Sequence, residues 1–286
     1  MTSLKEIKKR ISTVKTTRKI TQVRQTVSLV QLHHAQKSLE VASQYSQDVE
    51  EILTRITNSE EAVVSSSLSE ERTEGQVAVI IMSSNSGMCG AFNSRIIKEL
   101  DQINKSYGNE QPVFYPIGKK IRHAIVAGNL AVEGDFDNLA NRIAHEDVVD
   151  ITNHLIELFK KKRFKRVDMF YYHFKSIASQ DIVHETLLPF NPPAQQQQSK
   201  EPDSDYIIEP SIGELVEELA HISVTSKLFA ALASNHASEH AARTIAMQLA
   251  TENANNILDE LQLTYNKVRQ QNITAELLDI IGSSFA

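Results

Sequence analysis

Hydrophobic positions in the first 30 residues recur at helical spacing. Leu4, Ile7, Ile11 and Val14 step by 3, 4 and 3, and Ile20, Val23, Val27 and Val30 repeat the pattern. The six-residue step between the two sets predicts a break in heptad register, with the apolar seam drifting around the helix. Near the other terminus, Ala250, Ala254, Ile257, Leu261, Thr264 and Val268 step by 4, 3, 4, 3 and 4, the spacing of a two-stranded coiled coil. Ala242, Ala246, Ala250 and Ala254 add a row of small residues that lets two helices approach closely.

The pattern changes between the two ends. Val77–Met82 is a short apolar run and reads as a buried strand. The loop SSNSGMCG follows, and Asn93 is placed to cap a helix reaching Tyr107. Pro112–Ile117 reads as a second strand, with its prolines placed at a sheet edge or at the strand's start. Helices are predicted over Lys119–Ala127 and Glu146–Lys162, and strands over Val167–Phe174 and Val183–Phe190. Alternating strands and helices imply an α/β layer with a mainly parallel, Rossmann-like sheet. Residues 191–206 read as a polar linker, after which Ser211 and Glu214 form a capping box.

Glycine and proline sharpen this division. The first glycine is Gly75, the first proline is Pro112, and neither residue occurs from Glu214 to Ile281. Inside a helix they cost about 1 and 3 kcal/mol respectively, so both terminal stretches are free to form very long helices. Such helices need a partner along their length, because propensity alone stabilises them little. The expected organisation is therefore a long helix over 1–57, an α/β domain over 75–206 and a second long helix over 211–282. The two terminal helices form an antiparallel coiled coil, with the α/β domain inserted between them.

Charge agrees with that pairing. Residues 1–40 carry nine Lys/Arg against two acids, whereas residues 245–286 carry five acids against two bases. Each exposed ion pair is worth only about 0.2–1 kcal/mol, so charge orients the helices more than it stabilises them. A basic amphipathic first helix has a second reading, as a membrane or RNA binder. The net charge of −6 argues against nucleic acid, and no aromatic residue precedes Tyr45.

Candidate chemistry is sparse. A single cysteine, Cys89, excludes an internal disulfide and a multi-cysteine zinc site. Gly87-Met-Cys-Gly90 lies between a strand and a helix, and Cys89 there suits either a nucleophile at a helix N-terminus or a small buried side chain in a tight turn. The loop has neither the P-loop pattern nor the dinucleotide glycine pattern. His33 and His34 are adjacent and diverge on a helix. His236-Ala-Ser-Glu-His240 misses the H-E-x-x-H order. No metal or cofactor is expected from these residues, and an α/β enzyme using Cys89 with a coiled-coil docking arm stands as the alternative reading.

Longer strings carry a resemblance. Ser238-Glu-His-Ala-Ala-Arg243 with Ala246-Met247, then Leu263-Thr-Tyr-Asn-Lys-Val-Arg-Gln270, closely resemble gamma subunits of F-type ATP synthases. Ile7-Lys-Lys-Arg-Ile11, Thr16–Ile20 and Gly87–Asn93 match the same family in the same order. The chain departs from it at Val23-Arg24, at Ser86 before the glycine turn, and at its last residues.

The resemblance implies a non-catalytic central rotor shaft. One copy per complex would couple proton-driven rotation of the c-ring to conformational change in the catalytic beta subunits. It implies alpha, beta and epsilon subunits and the c-ring as partners, no cofactor, and attachment to the membrane through those partners alone. The site would be the cytoplasmic face of a bacterial plasma membrane. It also implies that Arg24, Arg243, Arg269 and Gln270 are inter-subunit contacts. A shaft turning in a sleeve is expected to have a polar outer face with few large anchors.

Overall fold

The computed structural model describes residues 3–57, 66–108, 110–191 and 211–284. Most of the expected linker, and the first part of the serine-rich stretch after Thr57, lie outside the described residues. The elements run α1 (Leu4–Thr57), β1 (Gln76–Met82), α2 (Phe92–Ser106), β2 (Val113–Ile117), α3 (Lys119–Ala127), a 3-10 turn (Asp137–Ala140), α4 (His145–Lys160), β3 (Phe164–Phe174), β4 (Gln180–Leu188) and α5 (Ile212–Ser284).

Both long helices start on side-chain caps. Ser3 Oγ accepts from the Glu6 amide at 3.3 Å, and Glu6 Oε2 accepts from the Ser3 amide at 3.2 Å. This reciprocal box satisfies two otherwise orphaned donors. At α5, Ser211 Oγ accepts from the Glu214 amide at 3.3 Å.

The chain divides into two compact units. The first combines Met1–Leu29 with Arg243–Ala286, and the second is Val30–Ala242. In the first unit α1 and α5 pack antiparallel. Arg18 Nη1 donates to Asn255 Oδ1 at 3.2 Å, and the Thr21 and Thr251 hydroxyls meet at 2.8 Å. In the second unit the same two helices pair again through Leu32, Ala35, Ala237 and Ala241, and through Lys227 Nζ on Glu50 Oε1 at 2.9 Å.

The expected break in register is absent. Sheltered positions on α1 follow an unbroken 3-4 alternation: Leu4, Ile7, Ile11, Val14, Arg18, Thr21, Gln25, Ser28, Leu32 and Ala35. The seam therefore runs straight through four polar residues, while Ile20, Val23, Val27 and Val30 point away from it and are 51–63% exposed. The seam of α5 also differs from expectation. It runs Met247, Thr251, Ala254, Leu258, Leu261, Tyr265 and Val268, with Ile257 and Thr264 exposed.

In the second unit a four-stranded sheet has the order β2-β1-β3-β4. β1 pairs parallel with β2 and β3, and β4 closes the edge antiparallel to β3. β1 is central and buried on both faces, hence its continuous apolar run. Pro116 is tolerated because β2 is an edge.

One sheet face (Val79, Ile81, Phe114, Phe170, Tyr172) packs on Ile96 and Leu100 of α2 and on Ile121 and Ile125 of α3. The other (Ala78, Ile80, Met82, Tyr115, Met169) packs on α4 and on Val49, Leu53, Val224 and Leu228 of the long helices. Asn235 and Ser234 of α5 accept the backbone amides of Tyr172 and Phe174, at 3.3 and 2.8 Å.

Candidate functional site

Open parallel α/β sheets bind ligands beyond the carboxyl ends of their strands, where the strand order reverses. In this sheet that place lies between β1 and β3, next to the loops that lead into α2 and α3. Ser83 Oγ accepts from the Ile121 amide at 3.0 Å, and Asn85 Oδ1 accepts from the Lys119 amide at 2.9 Å. The first turn of α3 is thus occupied by its own chain. The approach requires Gly118, whose φ is +111°; a Cβ there would meet the Ser83 carbonyl oxygen at 2.5 Å.

The start of α2 has no side-chain cap. Asn93 does not cap the helix, because Ala91 holds that position. Its side chain turns back instead. Oδ1 accepts from the Ser84 amide at 3.1 Å, and Nδ2 donates to Ser84 Oγ at 2.8 Å and to Cys89 Sγ at 3.1 Å. Cys89 is 2% exposed. A reactive thiolate needs access as well as activation, so the enzymatic reading based on Cys89 fails on burial, and the cysteine serves as a small packed side chain in the turn.

The histidines give no metal centre. His33 and His34 are exposed with ring centroids 6.3 Å apart. His236 is buried, and its Nε2 lies 3.0 Å from the Leu139 carbonyl oxygen. Burial lowers the His236 pKa and keeps the ring neutral, so that Nε2 is the donor. Among the described residues no group of three or more His, Cys, Asp or Glu is placed to hold a metal ion.

Two polar clusters were invisible to sequence reasoning. Asp168 is fully buried within β3. It accepts from Tyr107 Oη at 2.7 Å, Arg166 Nε at 2.8 Å and Thr186 Oγ1 at 2.9 Å. Burial, then the Asp168 carboxylate, pushes the Tyr107 phenol far above its usual range, fixing it as a donor. Glu217 of α5 accepts from Ser66 Oγ (2.7 Å), from the Ser67 amide (2.9 Å) and from Lys160 Nζ (2.8 Å). Burial alone would raise its pKa; Lys160, Ser67 and Ser66 outweigh that and hold it at about 2. These are satisfied structural networks that tie loops and helix ends to the sheet layer.

The remaining surface lies on the helices of the first unit. Arg24, Arg269 and Gln270 are exposed. Arg243 is 4% exposed and has a contact within the chain. The register of Arg18 with Asn255 and Thr21 with Thr251, carried to Leu4, brings the start of α1 about level with Arg269. From Arg269 to Leu278 every side chain of α5 is exposed. That stretch nevertheless carries Ile273, Leu277 and Leu278, with Ile280 and Ile281 beyond, all 44–63% exposed. The expectation of a polar outer face with few large anchors is therefore corrected.

This combination defines a protein built on paired long helices and an α/β layer, with exposed apolar residues at the far end of α5. The family model described as ATP synthase matches residues 3–286. The chain is 40% identical over 291 residues to the ATP synthase gamma chain of Bacteroides fragilis, covering all of both proteins. It is 34% identical to that of Flavobacterium johnsoniae, covering 100% of this chain and 99% of the relative.

Among solved structures, a chain of the Euglena gracilis mitochondrial ATP synthase OSCP/F1/c-ring assembly superposes with a TM-score of 0.63. Its identity is 19%, with 99% of this chain and 94% of that chain covered, so the likeness speaks to fold. This chain belongs to the ATP synthase gamma-chain family. Gamma chains are non-catalytic stalk subunits. Among the described residues no helix is long and apolar enough to cross a membrane.

Proposed function

We propose that this chain is the central shaft of a bacterial F-type ATP synthase, one copy per complex. The observation that carries this reading is the end of α5, which outruns α1 and leaves Ile273, Leu277 and Leu278 exposed in a family member. A lone helix of this kind gains little in water, so its apolar face calls for a surrounding sleeve. The ring of alpha and beta subunits supplies it.

The α/β insert contacts the epsilon subunit and the c-ring. Proton flow turns the ring, the ring turns the shaft, and the asymmetric shaft drives the beta subunits through their conformations in turn. The nucleotide chemistry takes place on the beta subunits. Attachment to the cytoplasmic face of the plasma membrane is through the partners.

Arg24, Arg269 and Gln270 are exposed where partner loops would pass, and we assign them polar contacts there. Arg243 is buried, so any contact it makes with a partner passes through the residues that cover it. The arms at 1–57 and 211–282 act as the axle, and the domain at 75–206 as the part gripped by the rotor.

Affinity purification from native membranes tests this directly. The expected result is alpha, beta and epsilon subunits and the c-ring with one copy of this chain. Recovery of the chain alone, or in several copies, would overturn the reading.

A further inference from the structure

In the second unit α1, α4 and α5 enclose a groove of about 410 Å³ that none of the roles above uses. Its walls include Val41, Tyr45, Val149, Ile222 and Phe229. Val41 and Tyr45 are 64% and 53% exposed, although Ala42 and Val49 on the same stretch of α1 are buried. The size falls within the roughly 300–1,000 Å³ of built recognition pockets.

Most polar groups of the groove are already engaged inside the chain, and the exposed His145 ring lies against that of Phe229. Thr225 Oγ1 donates to the His221 carbonyl at 3.0 Å, Ser226 Oγ to the Ser223 carbonyl at 2.9 Å, and the His221 ring bonds Asn153 at 2.6 Å. With those groups spent, the floor suits apolar side-chain anchors better than a polar small molecule. The rim is acidic. Glu218 lies one turn before Ile222 on α5, Glu146 one turn before Val149 on α4, and Asp48 one turn after Tyr45 on α1, all exposed. Lys37, one turn before Val41, opposes them in part, whereas Lys227 is held by Glu50.

We propose that this groove seats a basic amphipathic segment of a partner subunit, with one or two aromatic or branched aliphatic anchors flanked by lysine or arginine. Apolar anchors fill the floor, and the flanking cations meet Asp48, Glu146 and Glu218. Burial of such anchors carries most of the affinity at protein interfaces, while rim charges set orientation and rate. The proposal rests on the chain being a subunit of a larger assembly.

The test uses a Val149→Cys variant in a Cys89→Ser background. Maleimide labelling is compared between the isolated full chain and the purified complex, and p-benzoylphenylalanine at position 45 is photo-crosslinked in the complex. Labelling should slow at least about tenfold on assembly, and the crosslinked peptide should be a basic amphipathic segment. In the same complex Glu146→Lys with Glu218→Lys should weaken retention of that subunit about tenfold.

Equal labelling in both forms overturns the proposal, as does a crosslink to lipid, to a second copy of this chain or to an acidic segment. If the chain does not co-purify with the complex at all, the shaft reading fails first; if it co-purifies with the groove open, this proposal alone fails.

Discussion

The hydroxyls of Thr21 on α1 and Thr251 on α5 meet at 2.8 Å in the seam between the two helices. Each also lies within reach of a carbonyl one turn back in its own helix, Arg18 for Thr21 and Met247 for Thr251. A hydroxyl has one proton, so one threonine donates across the seam while the other keeps its own carbonyl. This polar rung, with Arg18 on Asn255 beside it, sets the antiparallel register at a place where apolar packing would leave it free to slip.

Proline at Thr251 is the severest probe of that rung. It removes an amide donor inside α5 and clashes with the preceding turn, costing about 3 kcal/mol or more. ATP synthesis by inverted membrane vesicles carrying Thr251→Pro should fall to near background. Unchanged coupled synthesis would count heavily against a stiff axle.

Gly118→Ala should destabilise the α/β layer by about 3 kcal/mol, combining a positive φ with a collision against the Ser83 carbonyl. Thermal unfolding of the isolated chain measures it. A loss below about 1 kcal/mol would mean that the α3 start is less tightly closed than described.

Cys89→Ser separates packing from catalysis. Serine oxygen can accept from Asn93 as the sulfur does. ATP synthesis by the assembled complex should stay within about twofold of the parent, with a stability change of about 1 kcal/mol. Abolished synthesis in a folded, assembled variant would revive the thiol.

Two pH windows are expected. Glu217 has a folded pKa of about 2 against the usual 4.5. Its contribution is therefore complete above about 4.5 and is lost as pH falls towards 2. Glu217→Gln should flatten that acid limb and, because Glu217 is partly exposed, cost only about 1 kcal/mol at neutral pH. His236 is a base whose pKa is lowered by burial from the usual 6.5. The unfolded chain binds its proton more readily, so stability declines as pH drops below about 6.5. His236→Gln keeps a donor for Leu139 and should remove that slope. Melting temperatures of the three proteins from pH 8 to pH 3 check both windows.

The long helices were legible because the absence of glycine and proline is a local property. The strands of the insert were legible because buried strands are apolar over their whole length. The seam was not. Ile20, Val23, Val27 and Val30 repeat the same 3-4 spacing as the true contact face, and nothing in one chain says which of two apolar stripes meets its partner helix. Arg18 and Thr21 take the inner face with polar partners on α5, Asn255 and Thr251.

Asp168 was hidden for a related reason. It sits in an apolar string, and its burial depends on Tyr107 and Thr186, which only the folded sheet brings to it. Of the residues expected to meet partner subunits, Arg24, Arg269 and Gln270 are on the surface and Arg243 is inside, a difference that spacing does not encode.

Rotation itself is the most direct measurement. With the alpha–beta head fixed to a surface and a probe attached to the chain through Lys98→Cys in a Cys89→Ser background, added ATP should turn the probe continuously in one direction. A probe that only wobbles about a fixed angle, in complexes that hydrolyse ATP normally, would contradict the account.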